Sequence, residues 1–139
     1  MTLGTVNPDG RAWVAPVVYA TDRGGNFYFL SQSSSQHSRN IEANRLVSVA
    51  VFDSRQKWGE GVGLQIEGEA MLLPITGSLR AFKNYFGRKW PTPGSNLAIL
   101  AYKKMAKRKI YRFYEITPTK VWMNDPRVEK DVRVRVKPL

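Results

Sequence analysis

The sequence predicts an α+β fold in which a small antiparallel β-barrel carries short flanking helices, and three observations predict it. Short runs rich in valine and aromatic residues recur between turns of Gly, Pro, Asn and Asp. Helical spacing of apolar residues is confined to brief interludes, and the chain closes on further strand signals. Many short antiparallel strands favour closure into a barrel, because closure removes the exposed edges.

Taken in order, Thr2–Val6 reads as a strand, Asn7-Pro8-Asp9-Gly10 as a turn, and Ala12–Ala20 as the returning strand of a hairpin. A second turn at Asp22-Arg23-Gly24-Gly25 leads into Asn26–Ser31, where Phe27 and Phe29 alternate with Tyr28 and Leu30, the pattern of a strand buried on both faces. The serine cluster Ser33–Ser35 is placed to cap a short helix over Gln36–Ala43. Val47–Phe52 returns to strand, Asp53–Gly63 is a polar, glycine-containing loop, and Leu64–Leu73 is a long strand in which Gly68 marks a bend or bulge. Leu79, Phe82 and Phe86 fall at helical spacing. Leu97, Ala101 and Met105 repeat it beyond the break at Trp90-Pro91-Thr92-Pro93-Gly94. Ile110–Ile116, Lys120–Met123 and the alternating Val132, Val134 and Val136 complete the strands.

The bulk numbers limit what this fold can do. A chain of 139 residues is expected to form one domain spanning its whole length, and 42% hydrophobic with 12% aromatic residues is too apolar for a disordered chain. No apolar stretch approaches the roughly 18 residues of a membrane span, and Met1 leads into Thr2–Val6 without the basic and apolar segments of a secretion signal. A cytoplasmic protein without a membrane partner is therefore expected. Zero cysteines exclude disulfides and thiolate chemistry, and with His37 the one histidine, neither a metal site nor a Ser-His-Asp triad is expected. Redox chemistry would have to come from a bound organic cofactor. The net charge is +11, and ten basic residues with no acidic one lie between Glu69 and Glu115, most of them on or beside the segments read as helices. A solvated helix face is the default reading of such a patch; attraction of nucleic acid or phosphorylated ligands is the alternative.

The segment most open to chemistry is the succession of strand, serine-rich turn and helix from Phe27 to Ala43. A helix N-terminus exposes unpaired N–H groups and a partial positive charge, and the serine hydroxyls with His37, Arg39 and Asn40 could add donors to a phosphate there. The same residues equally suit an ordinary capped surface helix.

Five segments in order carry a wider likeness: Leu3-Gly4-Thr5-Val6-Asn7-Pro8-Asp9-Gly10-Arg11 with Val14-Ala15-Pro16-Val17-Val18-Tyr19, Phe27-Tyr28-Phe29-Leu30-Ser31, His37-Ser38-Arg39-Asn40-Ile41-Glu42-Ala43-Asn44, Val47-Ser48-Val49-Ala50, and Ile66-Glu67-Gly68-Glu69-Ala70. Together they resemble the pyridoxamine 5′-phosphate oxidase-like flavoproteins, whose fold is an antiparallel, Greek-key split β-barrel that binds FMN between the subunits of a homodimer. The resemblance implies that Ser31, Ser35, Gln36 and His37 hold the FMN phosphate with Arg39 and Asn40 close by. It implies further that Val17 and Val18 present backbone groups to the flavin, that Trp122 lies near the cofactor, and that Tyr85 and Lys89 contact substrate. Relatives commonly carry basic residues where Gln36 and His37 stand, so this chain departs from the pattern. The oxidase also has a histidine after its tryptophan, whereas Met123-Asn124-Asp125-Pro126-Arg127 has none. An FMN-dependent oxidoreductase acting on a small molecule other than pyridoxamine 5′-phosphate is the function implied. A deazaflavin-dependent reductase or a tetrapyrrole-binding relative is the alternative, and a non-enzymatic basic nucleic-acid-binding module, lacking any recognised base-reading element, ranks behind both.

Overall fold

The computed structural model describes residues 1–57, 61–74, 76–87, 110–125, 127–128 and 132–136. Strands β1 (Thr2–Val6), β2 (Ala12–Pro16), β3 (Tyr19–Thr21) and β4 (Phe27–Gln32) precede helix α1 (Gln36–Ala43). Strands β5 (Leu46–Phe52) and β6 (Gly63–Leu72), helix α2 (Ser78–Gly87), and strands β7 (Tyr111–Asn124) and β8 (Arg133–Val136) follow. The helix expected around Leu97–Met105 lies outside the described residues. No helix among those described is long and apolar enough to cross a membrane.

The strands form one antiparallel sheet in the order β2-β1-β5-β6-β7-β4-β3, with β8 added against β7. The run Ala12–Ala20, expected to be one strand, divides at Val17 and Val18. Its first part pairs with β1 and its second with β4, at opposite ends of that order. Six strand spacings would separate those ends by about 29 Å in a flat sheet, whereas the link from Pro16 to Tyr19 reaches about 10 Å. The sheet must therefore curl until its edges approach, which is the split barrel. Pro16, the last residue of β2, is the local signal at the division, and barrel closure requires the break there.

Leu3, Phe27, Phe29, Val47, Val49, Ile66, Ala70, Tyr114, Ile116 and Val121 fill the barrel, and Ile41 of α1 closes onto them. On the other face of β4, Tyr28 joins Ala20, Leu73, Ala81, Tyr85 and Phe113 in a separate cluster beneath α2. The two-faced burial read from Phe27–Leu30 thus divides between two cores.

The bend expected at Gly68 is a β-bulge. Opposite Glu67 and Gly68 stand Lys120 and Pro118, so Thr119 is the extra residue, and its hydroxyl donates to Glu67 O at 3.1 Å. A Cβ at Gly68 would lie 2.8 Å from Thr117 O, which explains the glycine. The bulge also lets β7 run unbroken through Pro118, where the sequence suggested two strands, Ile110–Ile116 and Lys120–Met123.

Candidate anion site at the start of helix α1

Helix α1 begins where β4 ends, with Ser35 as the N-cap residue in extended conformation (φ −69°, ψ 153°). Ser35 does not cap in the usual manner. Its hydroxyl donates to Ser38 Oγ at 2.8 Å and makes no bond to a helix N–H. The N–H groups of Gln36, His37 and Ser38 precede the first intrahelical bond, from Arg39 N to Ser35 O at 3.1 Å, so the serine leaves them without its oxygen. The first turn holds no acidic residue either. This helix end keeps its positive partial charge uncompensated.

Beside it, Ser31 Oγ, Ser35 Oγ and His37 Nε2 form a triangle with edges of 3.2, 2.7 and 3.1 Å. Ser31 is buried at the end of β4, which fixes one corner. Burial pushes the His37 imidazole below its ordinary value, so the ring is neutral at pH 7 and donates from a single nitrogen. The Arg39 guanidinium lies over the same turn, donating to Ser34 O and, at 2.9 Å, to Gln36 Oε1. A cation at the positive end of a helix is unfavourable unless an anion joins it. The backbone N–H groups, the Ser31 hydroxyl, the imidazole and a guanidinium in reach suit a phosphate, which the Ser35 hydroxyl could join by turning its proton away from Ser38.

The structure brings Ser31, Ser35, Gln36, His37, Arg39 and Asn40 onto one helix start, but it divides their tasks. Asn40 is fully buried. Its amide donates to Thr5 Oγ1 at 3.0 Å and Asn7 Oδ1 at 2.9 Å, and its oxygen accepts from Gln36 Nε2 at 2.9 Å. Gln36 sends its second N–H to Asn7 Oδ1 at 3.3 Å. Both amides have spent their side-chain donors inside the protein, and Asn40 seats α1 on the β1–β2 hairpin. Thr5 and Asn7 therefore belong to the support of the site. The sequence offered only a turn signal at Asn7-Pro8-Asp9-Gly10 to suggest it.

The remaining candidates lie elsewhere. Val17 exchanges both backbone hydrogen bonds with Met1, at 3.0 and 3.1 Å, leaving the exposed Val18 as the member of the pair with backbone groups to offer. Trp122 stands on the outer face of the sheet between Lys120 and Arg133, whose charged groups lie 5.8 and 5.9 Å from its ring, beside a cavity of about 340 Å³ that includes Gly4, Val14, Ser48 and Gln65. Tyr85 is nearly buried and packs edge-on to Phe113 with ring centroids 5.6 Å apart, so its ring is a core element under α2. Lys89 lies outside the described residues, as does most of the basic run.

Comparison with known proteins places this architecture. No curated protein matches the sequence. Among solved structures, the heme binding protein of Mycobacterium smegmatis superposes with a TM-score of 0.72 at 16% identity, covering 99% of this chain and 52% of its own; this chain thus spans about half of that protein. A Clostridium acetobutylicum protein related to general stress protein 26 of B. subtilis, of the pyridoxinephosphate oxidase family, superposes at 0.67 with 15% identity over 97% of this chain and 84% of its own. An F420 reductase does so at 0.57 with 23% identity over 86% of each. At these identities the likeness is one of fold, whereas the family model described as pyridoxamine 5′-phosphate oxidase matches residues 1–125 directly. The chain belongs to the pyridoxamine 5′-phosphate oxidase-like split-barrel family.

Proposed function

We propose that this protein binds FMN at the start of α1 and works as an oxidoreductase on a small molecule other than pyridoxamine 5′-phosphate. The observation that carries the reading is the uncapped helix end beside the Ser31–Ser35–His37 triangle, a set of donors aimed at one place with no acidic residue in the first turn. Neutral N–H and hydroxyl donors suffice for a phosphate at a helix N-terminus, so Gln36 and His37 need not be cationic. The flavin would supply two-electron chemistry; this chain's residues hold the phosphate, orient the ring through Val18 and exclude water.

A homodimer is part of the proposal. The outer sheet face exposes Val14 (66%) and Leu46 (63%) along a groove of about 540 Å³ whose walls include Gly4, Ser48 and Gly68, and exposes Phe52 (64%) at the far end of β5. A contiguous apolar face of this kind favours burial against another surface. A second copy there would also bring Trp122 into the same interface as the cofactor.

The departure at Gln36 and His37, with the F420 reductase among proteins of this fold, favours deazaflavin as the second reading. Titration of the protein with FMN, followed by quenching of flavin fluorescence, tests the first. Saturable binding that weakens at least tenfold in Ser31→Ala/Ser35→Ala supports it. Absence of binding, or unchanged affinity in that variant, refutes it, and binding of deazaflavin without FMN selects the second reading. A Soret band on heme addition would assign a tetrapyrrole instead.

A further inference from the structure

Away from α1, a second polar cluster lies beneath α2. Tyr28 is fully buried on β4, and its hydroxyl stands 2.8 Å from Asp22 Oδ2 and 2.8 Å from Glu115 Oε1. A phenol has one proton to donate, so the two carboxylates compete for it. Both are well shielded, with 12% and 13% of their side-chain surface exposed. Asp22 is fixed in the β3–β4 turn by Gly24 N at 2.9 Å, Asn26 N at 3.0 Å and Asn26 Nδ2 at 3.2 Å. Two anions around one phenol repel each other and need a cation.

Arg80, in the first turn of α2, reaches both. Its Nη2 donates to Glu115 Oε1 at 3.0 Å, its Nε lies 3.8 Å from Asp22 Oδ2, and its guanidinium sits 5.8 Å above the Tyr28 ring. No α2 residue enters the barrel cluster, so movement of α2 would leave the barrel interior packed while uncovering Tyr28 and Phe113, and Ala81 and Tyr85 hold the helix down beside the ion cluster. Beyond Arg80, the helix lines an open cleft of about 440 Å³ through Lys83, Asn84 and Gly87, facing Tyr19–Thr21 of β3.

We propose that Arg80, Asp22 and Glu115 form an ionic latch that holds α2 closed over β3 and β4, making α2 the moving wall of that cleft. The shielded carboxylates supply the fixed half of the latch. The exposed guanidinium, 63% accessible, supplies the half that salt can screen. The latch does not depend on which cofactor the protein binds.

Hydrogen–deuterium exchange on the whole chain tests it. In Arg80→Gln, peptides within 78–87 should exchange about threefold to tenfold faster, while those of β1, β5 and β6 keep their rates. Wild-type protein in 1 M salt should move toward the variant, because the Debye length there is about 3 Å. Glu115→Gln, which keeps a hydrogen-bonding group but removes the charge, should shift the same peptides by less. Unchanged α2 rates in Arg80→Gln, or acceleration spread evenly through β1 and β5, would overturn the latch.

Discussion

Replacing Asn40 with alanine tests how α1 is seated. The wild-type amide makes three side-chain hydrogen bonds, but they are not equivalent. Asn7 and Gln36 are partly exposed and recover water when Asn40 is lost, so each costs little. Thr5 is buried at 3% exposure, and its Oγ1 loses its donor in a place water does not reach, about 1–2 kcal/mol. Deleting the side-chain atoms of a fully buried residue adds about 1 kcal/mol of lost contact. The expected total is about 2–4 kcal/mol, a large share of a typical stability of about 5–15 kcal/mol. Urea unfolding followed by circular dichroism measures it, with a shared m-value as the check that only the folded state changed. Gln36→Ala, which removes the solvent-side contribution to the same network, should cost no more than about 1 kcal/mol. A loss below about 0.5 kcal/mol in Asn40→Ala, or equal losses in the two variants, would refute the reasoning.

His37 sets a pH dependence in the ligand-free protein. Its folded-state imidazole binds a proton less readily than the unfolded one, so the associated stability is present above about pH 6.5 and is lost as pH falls through the folded value. His37→Gln should flatten that slope in thermal melts between pH 5 and pH 8, chosen as roughly bracketing the imidazole range. An anion in the triangle should raise the His37 value, visible in its imidazole proton NMR shifts on adding phosphate or FMN. Gly68→Ala should cost about 1–3 kcal/mol, because the new methyl meets the backbone oxygen of Thr117 rather than a side chain that could turn away. Val14→Glu with Leu46→Glu should convert a dimer to monomer in light scattering and lower FMN affinity with it, if the cofactor lies between subunits.

Elements that obey local rules were legible in the sequence. β1 and α1 lie where turn chemistry and period placed them, and β4 shows the two-faced burial that its aromatic alternation implied. The division at Val17–Val18 was marked only by Pro16, a signal overridden by the strand propensity of the valines around it. Ile110–Ile116 and Lys120–Met123, read as two strands, are one, because a bulge opposite Glu67 and Gly68 carries the chain through Pro118. At the site, the serines and His37 were visible as donors clustered in sequence. The burial of Asn40 was not, since its partners Thr5 and Asn7 lie 35 and 33 residues away and a polar residue at a helix start looks like a ligand contact. Arg80 read as one charge in a basic run, because Asp22 and Glu115 reach it only through the fold.

The link at Val17 and Val18 has a consequence for which length changes the fold tolerates. Surface turns usually accept extra residues at little cost, since loop entropy grows slowly with length. The exposed turn at 53–55, just after β5, should accept them in that way. Between β2 and β3, however, the chain is a tether whose shortness keeps the two margins of the sheet together. Each added residue would slacken it by about 3.5 Å. Insertions there should register as a loosened seam rather than a longer turn, making the Val17–Val18 dipeptide one of the least extensible points in the molecule.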